Sequence, residues 1–112
     1  MRSWHPIPPL CLDRKRLLGE HNEVHCMWNV ITQNKKGYRN HPETQRWIGH
    51  LAALAQRHDL LVAEMALRGY NHKSPLLNVE QFACSTVRYP STIEPIETMR
   101  EKLSQKLSEA LG

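Results

Sequence analysis

Apolar residues along this chain recur at helical spacing. After Asp13, a good N-cap, Leu17, Leu18, Val24, Trp28 and Ile31 share one side of a helix running to about Asn34, and His21 and His25 lie on that same side. A second stripe, built on Trp47, Ile48, Leu51, Leu54, Ala55, His58, Leu61, Val62 and Met65, predicts one helix from Pro42 to Arg68. Asn40 or His41 would cap it and Gly69 would close it in the left-handed position. Its length makes it a candidate for a kink. A third, narrower stripe of Ile96, Met99, Leu103, Leu107 and Leu111 predicts a helix that begins between Ser91 and Pro95 and ends at Leu111. Nothing alternates at strand spacing over a useful length. The pattern predicts an all-α fold, a single domain over residues 1–112 with three main helices and long connections.

The remaining segments read as connections. Pro6, Pro8 and Pro9 hold residues 1–12 extended, because each proline removes a backbone donor and biases its neighbour away from helix. Lys35 to Asn40 is a basic loop with Gly37 as its breaker. Residues 70–90 lack clear periodicity, apart from a short helical turn expected over Val79 to Ala83.

Charge adds a partner class. The net charge of +4 is confined to the amino-terminal half: residues 1–60 carry nine Lys and Arg against five acids, whereas residues 61–112 balance. A basic half suits a polyanion such as nucleic acid. No apolar run approaches the roughly 20 residues a membrane span needs, and the early prolines break any signal-peptide pattern. Cys11, Cys26 and Cys84 are odd in number and far apart, which fits free thiols in a reducing cytoplasm.

Chemistry concentrates in Arg16 to Cys26, RLLGEHNEVHC, where Glu23 stands between His21 and His25. A partly desolvated carboxylate at the edge of a buried helix face can act as a general acid or base. The two histidines, one turn apart, are spaced to share a metal, with a third ligand from His50, His58 or Cys26. Packing histidines, or histidines facing phosphate, are preferred, so neither a metal nor a cofactor is expected. Trp4, Trp28 and Trp47 read as core, with Trp4 alternatively an apolar wedge at an unstacked base step. The loop holding Lys35, Lys36 and Arg39 is suited to phosphate.

Two blocks, Leu17 to Val24 and LVAEMALRGYNHKSPL from Leu61 to Leu76, resemble the pyrimidine-dimer DNA glycosylase and abasic-site lyase family of the phage endonuclease V type. The opening MRSWHPIPPL and the stretch from Lys35 to Met65 are similar to its small bacterial branch. The resemblance implies an amino-terminal arm packed against the helices. It implies a nucleophilic main-chain α-amine, here on Met1 or Arg2, that forms an imine at the sugar C1′, and a helix-borne glutamate matched by Glu23. It also implies double-stranded damaged DNA as partner. The phage enzyme carries arginines where Ser3, Asn22 and Cys26 stand. Arg14, Arg16, His21, Asn22, His25, Lys35, Lys36 and Arg39 are the expected DNA contacts. A cytoplasmic monomer is expected, nucleoid-associated if bacterial. The alternatives are a non-catalytic DNA-binding module of the same fold, or a His-rich helical metal or interaction protein.

Overall fold

The computed structural model describes residues 2–70, 75–82, 86–91 and 95–111, the last five as backbone alone. Among the described residues five α-helices follow one another: α1 Arg14–Thr32, α2 Pro42–Trp47, α3 Leu51–Leu67, α4 Val79–Phe82 and α5 Ile96–Leu111. No strand occurs among the described residues. The three long helices are those the apolar stripes predict, and α4 is the short turn expected near residue 80.

The helix expected over Pro42 to Arg68 is two. Trp47 ends α2, and Gly49 takes a φ of +83° before α3 restarts at Leu51. Glycine adopts that left-handed conformation without the Cβ penalty other residues carry. The break turns Ile48 out to 40% exposure, although the stripe had assigned it to the core. His41 is the cap: its Nδ1 accepts the Glu43 backbone N–H at 3.1 Å. At the other end of α3, Gly69 has a φ of +84°, its N–H bonds Ala66 O, and the Tyr70 N–H bonds Met65 O. This pair of bonds is the Schellman closure, which satisfies carbonyls the helix leaves open. Asp13 sits at the N-cap of α1, but its side chain makes no cap bond; it pairs with Arg16 at 3.6 Å instead.

α1 packs chiefly on α3. Trp28, Val24 and Leu17 from α1 meet Leu54, Leu61 and Met65 from α3 in a core where each is at most 1% exposed. Met99 and Leu103 bring α5 onto this core, while Ile96 is 37% exposed. The Trp28 indole N–H reaches the Leu77 carbonyl at 2.8 Å and ties α1 to the segment before α4.

The arm is not a free tail. Its residues Pro9–Cys11 form a 3-10 turn, and Trp4, Ile7 and Leu12 are buried. Polar side chains from the helices grip its backbone: Arg57 donates to Ile7 O at 2.9 Å, Arg46 to His5 O at 3.3 Å, and Arg68 to Leu12 O at 2.6 Å. No helix of the described residues is long and apolar enough to cross a membrane.

Candidate active site

Two buried carboxylates fix where the arm begins. Glu20, on α1, accepts the Trp4 backbone N–H at 2.9 Å and the Ser3 hydroxyl at 3.0 Å. Its charge is met by Arg57 from α3, which approaches as a fork at 2.6 and 2.8 Å. Two parallel charge-assisted bonds hold a guanidinium and a carboxylate in one plane and one register. Glu43, on α2, accepts the Ser3 N–H at 3.2 Å, together with Arg46 at 2.8 Å and the Trp47 indole at 3.1 Å. Burial depresses the Arg46 guanidinium below its usual range, and the Glu43 carboxylate works against that shift. Ser3 is thus 1% exposed and belongs to the clamp. A small hydroxyl fits this position, where a long arginine could not be housed.

The clamp delivers Arg2 to a cleft of about 440 Å³. Its walls include Arg2, Lys15, Arg16, Glu23 and Lys106, with Trp4 and Gly19 between them. Lys15, Arg16, Gly19, Glu20 and Glu23 are one stripe of α1, spaced three and four apart, so a single helix face forms the floor. A Cβ on Gly19 would meet nothing within 4 Å, so the missing side chain leaves the floor open. Glu23 is half-buried there, among cations from three parts of the chain. The Arg2 guanidinium stands 4.7 Å and the Lys106 ammonium 5.8 Å from the Trp4 ring, cation–π distances that hold both over the cleft. Trp4 itself is 4% exposed and is a core residue, not a wedge.

The expected site residues therefore divide. Arg2, Arg16 and Glu23 come together in the cleft, and Met1 lies outside the described residues. Asn22 is exposed on α1, and Lys35 and Lys36 stand exposed on the loop after it, with Arg39 half-buried beside them. Arg14 is exposed, with its guanidinium 5.5 Å from the Tyr70 ring. His21 is 1% exposed, so it has no surface to offer a phosphate. Its ring lies against His25 and His58 at the α1–α3 contact, and His25 is half-buried in the same group. Burial and the charge of Glu23 push the Cys26 thiol up, away from the reactive thiolate.

Sequence reasoning missed Lys15, Lys106, Glu20 and Arg57. The first and third were accessible, because both share the stripe with Glu23. Arg57 and Lys106 carry no local signal; only the tertiary fold brings α3 and α5 to the arm.

A cleft that gathers four cations, the anchoring Glu20 and the half-buried Glu23 beside a pinned arm suits a polyanionic substrate whose chemistry needs proton transfer. Neither curated proteins nor solved structures provide a match to the chain. The family model for pyrimidine dimer DNA glycosylase matches residues 1–78, a span that includes the arm, α1, α2, α3 and the Glu23 side of the cleft. The chain belongs to the pyrimidine dimer DNA glycosylase family and is a DNA repair glycosylase.

Proposed function

We propose that this glycosylase excises a pyrimidine-dimer-like lesion from duplex DNA and then nicks the abasic strand. The nucleophile is an α-amine at its amino terminus, on Met1 or Arg2, and Glu23 is the helping carboxylate. The observation that carries the reading is the clamp. Ser3 and Trp4 are held by Glu20 and Glu43, and Arg2 and Glu23 line one cleft.

The chemistry balances with these groups and water. An α-amine has an ordinary pKa of about 7.7–8.0, so a useful fraction is neutral at pH 7, unlike a lysine. Its lone pair forms a bond to C1′ as the glycosylic bond breaks, and the departing base leaves with that electron pair and takes up a proton. Loss of the amine proton and opening of the sugar give a protonated imine, an electron sink adjacent to C2′. A carboxylate then removes a C2′ proton, the C3′–O bond breaks with the phosphate departing as the 5′ end of the downstream strand, and water hydrolyses the remaining imine to free the amine. Glu23 is the base for that step. Arg2, Lys15, Arg16 and Lys106 oppose the phosphate charge beside the lesion, and the exposed Lys35, Lys36 and Asn22 extend the contact along the duplex. A damaged base extruded from the stack would expose its C1′ to the amine.

Borohydride reduction on an abasic duplex, followed by mass spectrometry, tests the reading. The expected adduct is on the terminal residue, and Glu23→Gln is expected to keep DNA binding while losing strand cleavage. A free amino terminus that binds DNA and yields no adduct would leave a non-catalytic binding module. Wild-type nicking by Glu23→Gln would remove Glu23 from the mechanism.

A further inference from the structure

The α1–α3 contact holds a second polar cluster that the cleft does not use. Three histidines converge by the same ring atom: His25 Nε2 lies 3.2 Å from His21 Nε2 and 3.1 Å from His58 Nε2. One ligand atom from each falls within 4.8 Å of the other two. His21 and His58 are 1% and 5% exposed, and His25 is half-buried. Glu23, two residues from both His21 and His25, is rotated about 200° from them on the helix, so this cluster faces away from the cleft.

Hydrogen bonding alone serves this geometry poorly. A neutral imidazole nitrogen has one in-plane site, holding either a proton or a lone pair. His25 Nε2 can therefore serve His21 or His58 with good geometry, but not both at once. Protonating the rings to supply more donors would place like charges together at a buried helix contact. A cation at the common point takes all three lone pairs. With metal–nitrogen bonds of about 2.0–2.1 Å, adjacent nitrogens around a tetrahedral ion lie roughly 3.3 Å apart; the two contacts to His25 match this, and the third pair, within 4.8 Å, draws in as the ion binds.

The surroundings fit the same role. His58 Nδ1 meets Asp59 Oδ1 at 3.1 Å. A carboxylate there holds the proton on Nδ1 and points the Nε2 lone pair inward, as the outer partners of metal-bound histidines do. Asp59 is mostly exposed, and half-buried His25 gives the cluster an edge toward solvent through which an ion can enter.

We propose that His21, His25 and His58 bind a borderline divalent transition-metal ion of the zinc class, cross-linking α1 to α3. Imidazole donors without thiolate suit zinc, cobalt, nickel or copper, and disfavour magnesium and calcium. Such a site is distinct from the glycosylase chemistry and stands whether or not the terminal amine is the nucleophile.

The test uses the full chain without a histidine tag. Stripped protein is titrated with Zn²⁺ by calorimetry and with Co²⁺ by visible absorption. The expected result is one ion per chain, Co²⁺ bands of a low-coordinate nitrogen site, and a rise in Tm with added Zn²⁺. His58→Gln and, at the half-exposed position, His25→Gln are each expected to weaken binding at least about tenfold. His50→Gln, outside the cluster, is expected to bind as wild type does. Circular dichroism shows which variants fold, and one folded cluster variant suffices. Wild-type protein that takes up no stoichiometric Zn²⁺ or Co²⁺ would overturn the proposal. So would a folded His58→Gln or His25→Gln that binds with unchanged affinity.

Discussion

Replacing Arg57 with methionine should be among the most damaging single changes available to this fold. The guanidinium donates to both oxygens of Glu20 and to the Ile7 carbonyl, and the two side chains are 3% and 0% exposed. Methionine fills much of the space and supplies none of the bonds. Glu20 is then a buried carboxylate without its guanidinium. Removing one partner of a buried pair costs about 3–5 kcal/mol, because the other charge stays desolvated and uncompensated. Domains of this size are stable by only about 5–15 kcal/mol, so a large part of the total is at stake. At about 4 °C per kcal/mol, Tm should fall by roughly 12–20 °C. Urea denaturation of Arg57→Met against wild type measures the loss directly. A double variant, Glu20→Met with Arg57→Met, removes the charge as well and should regain part of it. Recovery stays incomplete, because the Trp4 N–H and the Ser3 hydroxyl lose the acceptor they share. A loss below about 1 kcal/mol in Arg57→Met would refute the view that this pair anchors the arm.

Three further outcomes follow from other parts of the molecule. His5 stacks on Tyr89 at 4.2 Å, and burial, reinforced by the charges of Arg57 and Arg46, lowers its pKa from 6.5 to about 4. The unfolded chain takes up this proton near pH 6.5 and the folded chain only near pH 4, so stability should fall as pH drops through that window. His5→Phe should flatten that part of the profile, and an unchanged slope in denaturation at several pH values would count against His5. Gly19→Leu should leave the helix intact or firmer, since glycine inside a helix costs about 1 kcal/mol, yet fill the cleft floor. Nicking of abasic DNA should fall sharply at unchanged Tm, and full activity would show that substrate does not enter there. Lys106→Gln should weaken duplex binding and reduce the slope of log affinity against log salt by about 0.9, the share of one phosphate contact. An unaltered slope would place Lys106 outside the interface.

How much of this was legible in the chain depends on the range over which each feature is determined. The three long helices come from local periodicity, and their stripes point Leu17, Val24, Trp28, Leu54, Leu61 and Met65 inward as found. The break at Gly49 was hidden because Ile48 and Leu51 continue the stripe of α3 backward through it; periodicity could not reveal the positive φ that ends α2. The glutamate of the cleft was legible from its motif, as was the i, i+4 pairing of His21 with His25. So was the inward direction of that pair, because both fall on the apolar side with Leu17, Val24 and Trp28; the residue they meet across the helix contact was not. His58 was one of three third-ligand options in the sequence, and the crossing of α1 with α3 selects it. The grip on the arm was the least legible feature: Glu20, Glu43, Arg46, Arg57 and Arg68 are scattered charges that ordinary statistics assign to the surface.

On the proposed mechanism the two neighbouring glutamates of α1 divide their work according to what already occupies them. A carboxylate has about four lone-pair sites. Glu20 uses four: one oxygen takes the Trp4 N–H and an Arg57 Nη, the other the Ser3 hydroxyl and the Arg57 Nε. It has no site left for a substrate proton, and it is 1% exposed. Glu23, one helical turn onward, is half-buried on the cleft wall, where a reacting sugar can reach it. The amide substitution should separate these roles. In Glu20→Gln an NH₂ donor replaces one acceptor oxygen and must face Arg57 or the donors of the arm, so stability and strand cleavage should fall together. In Glu23→Gln cleavage should be lost while stability stays within about 0.5 kcal/mol of wild type, the usual range for a change outside the core. Paired melting curves and abasic-site nicking rates decide the matter. A Glu20→Gln protein as stable as wild type, or a Glu23→Gln protein destabilised as much as Glu20→Gln, would show that the division between anchor and base is misdrawn.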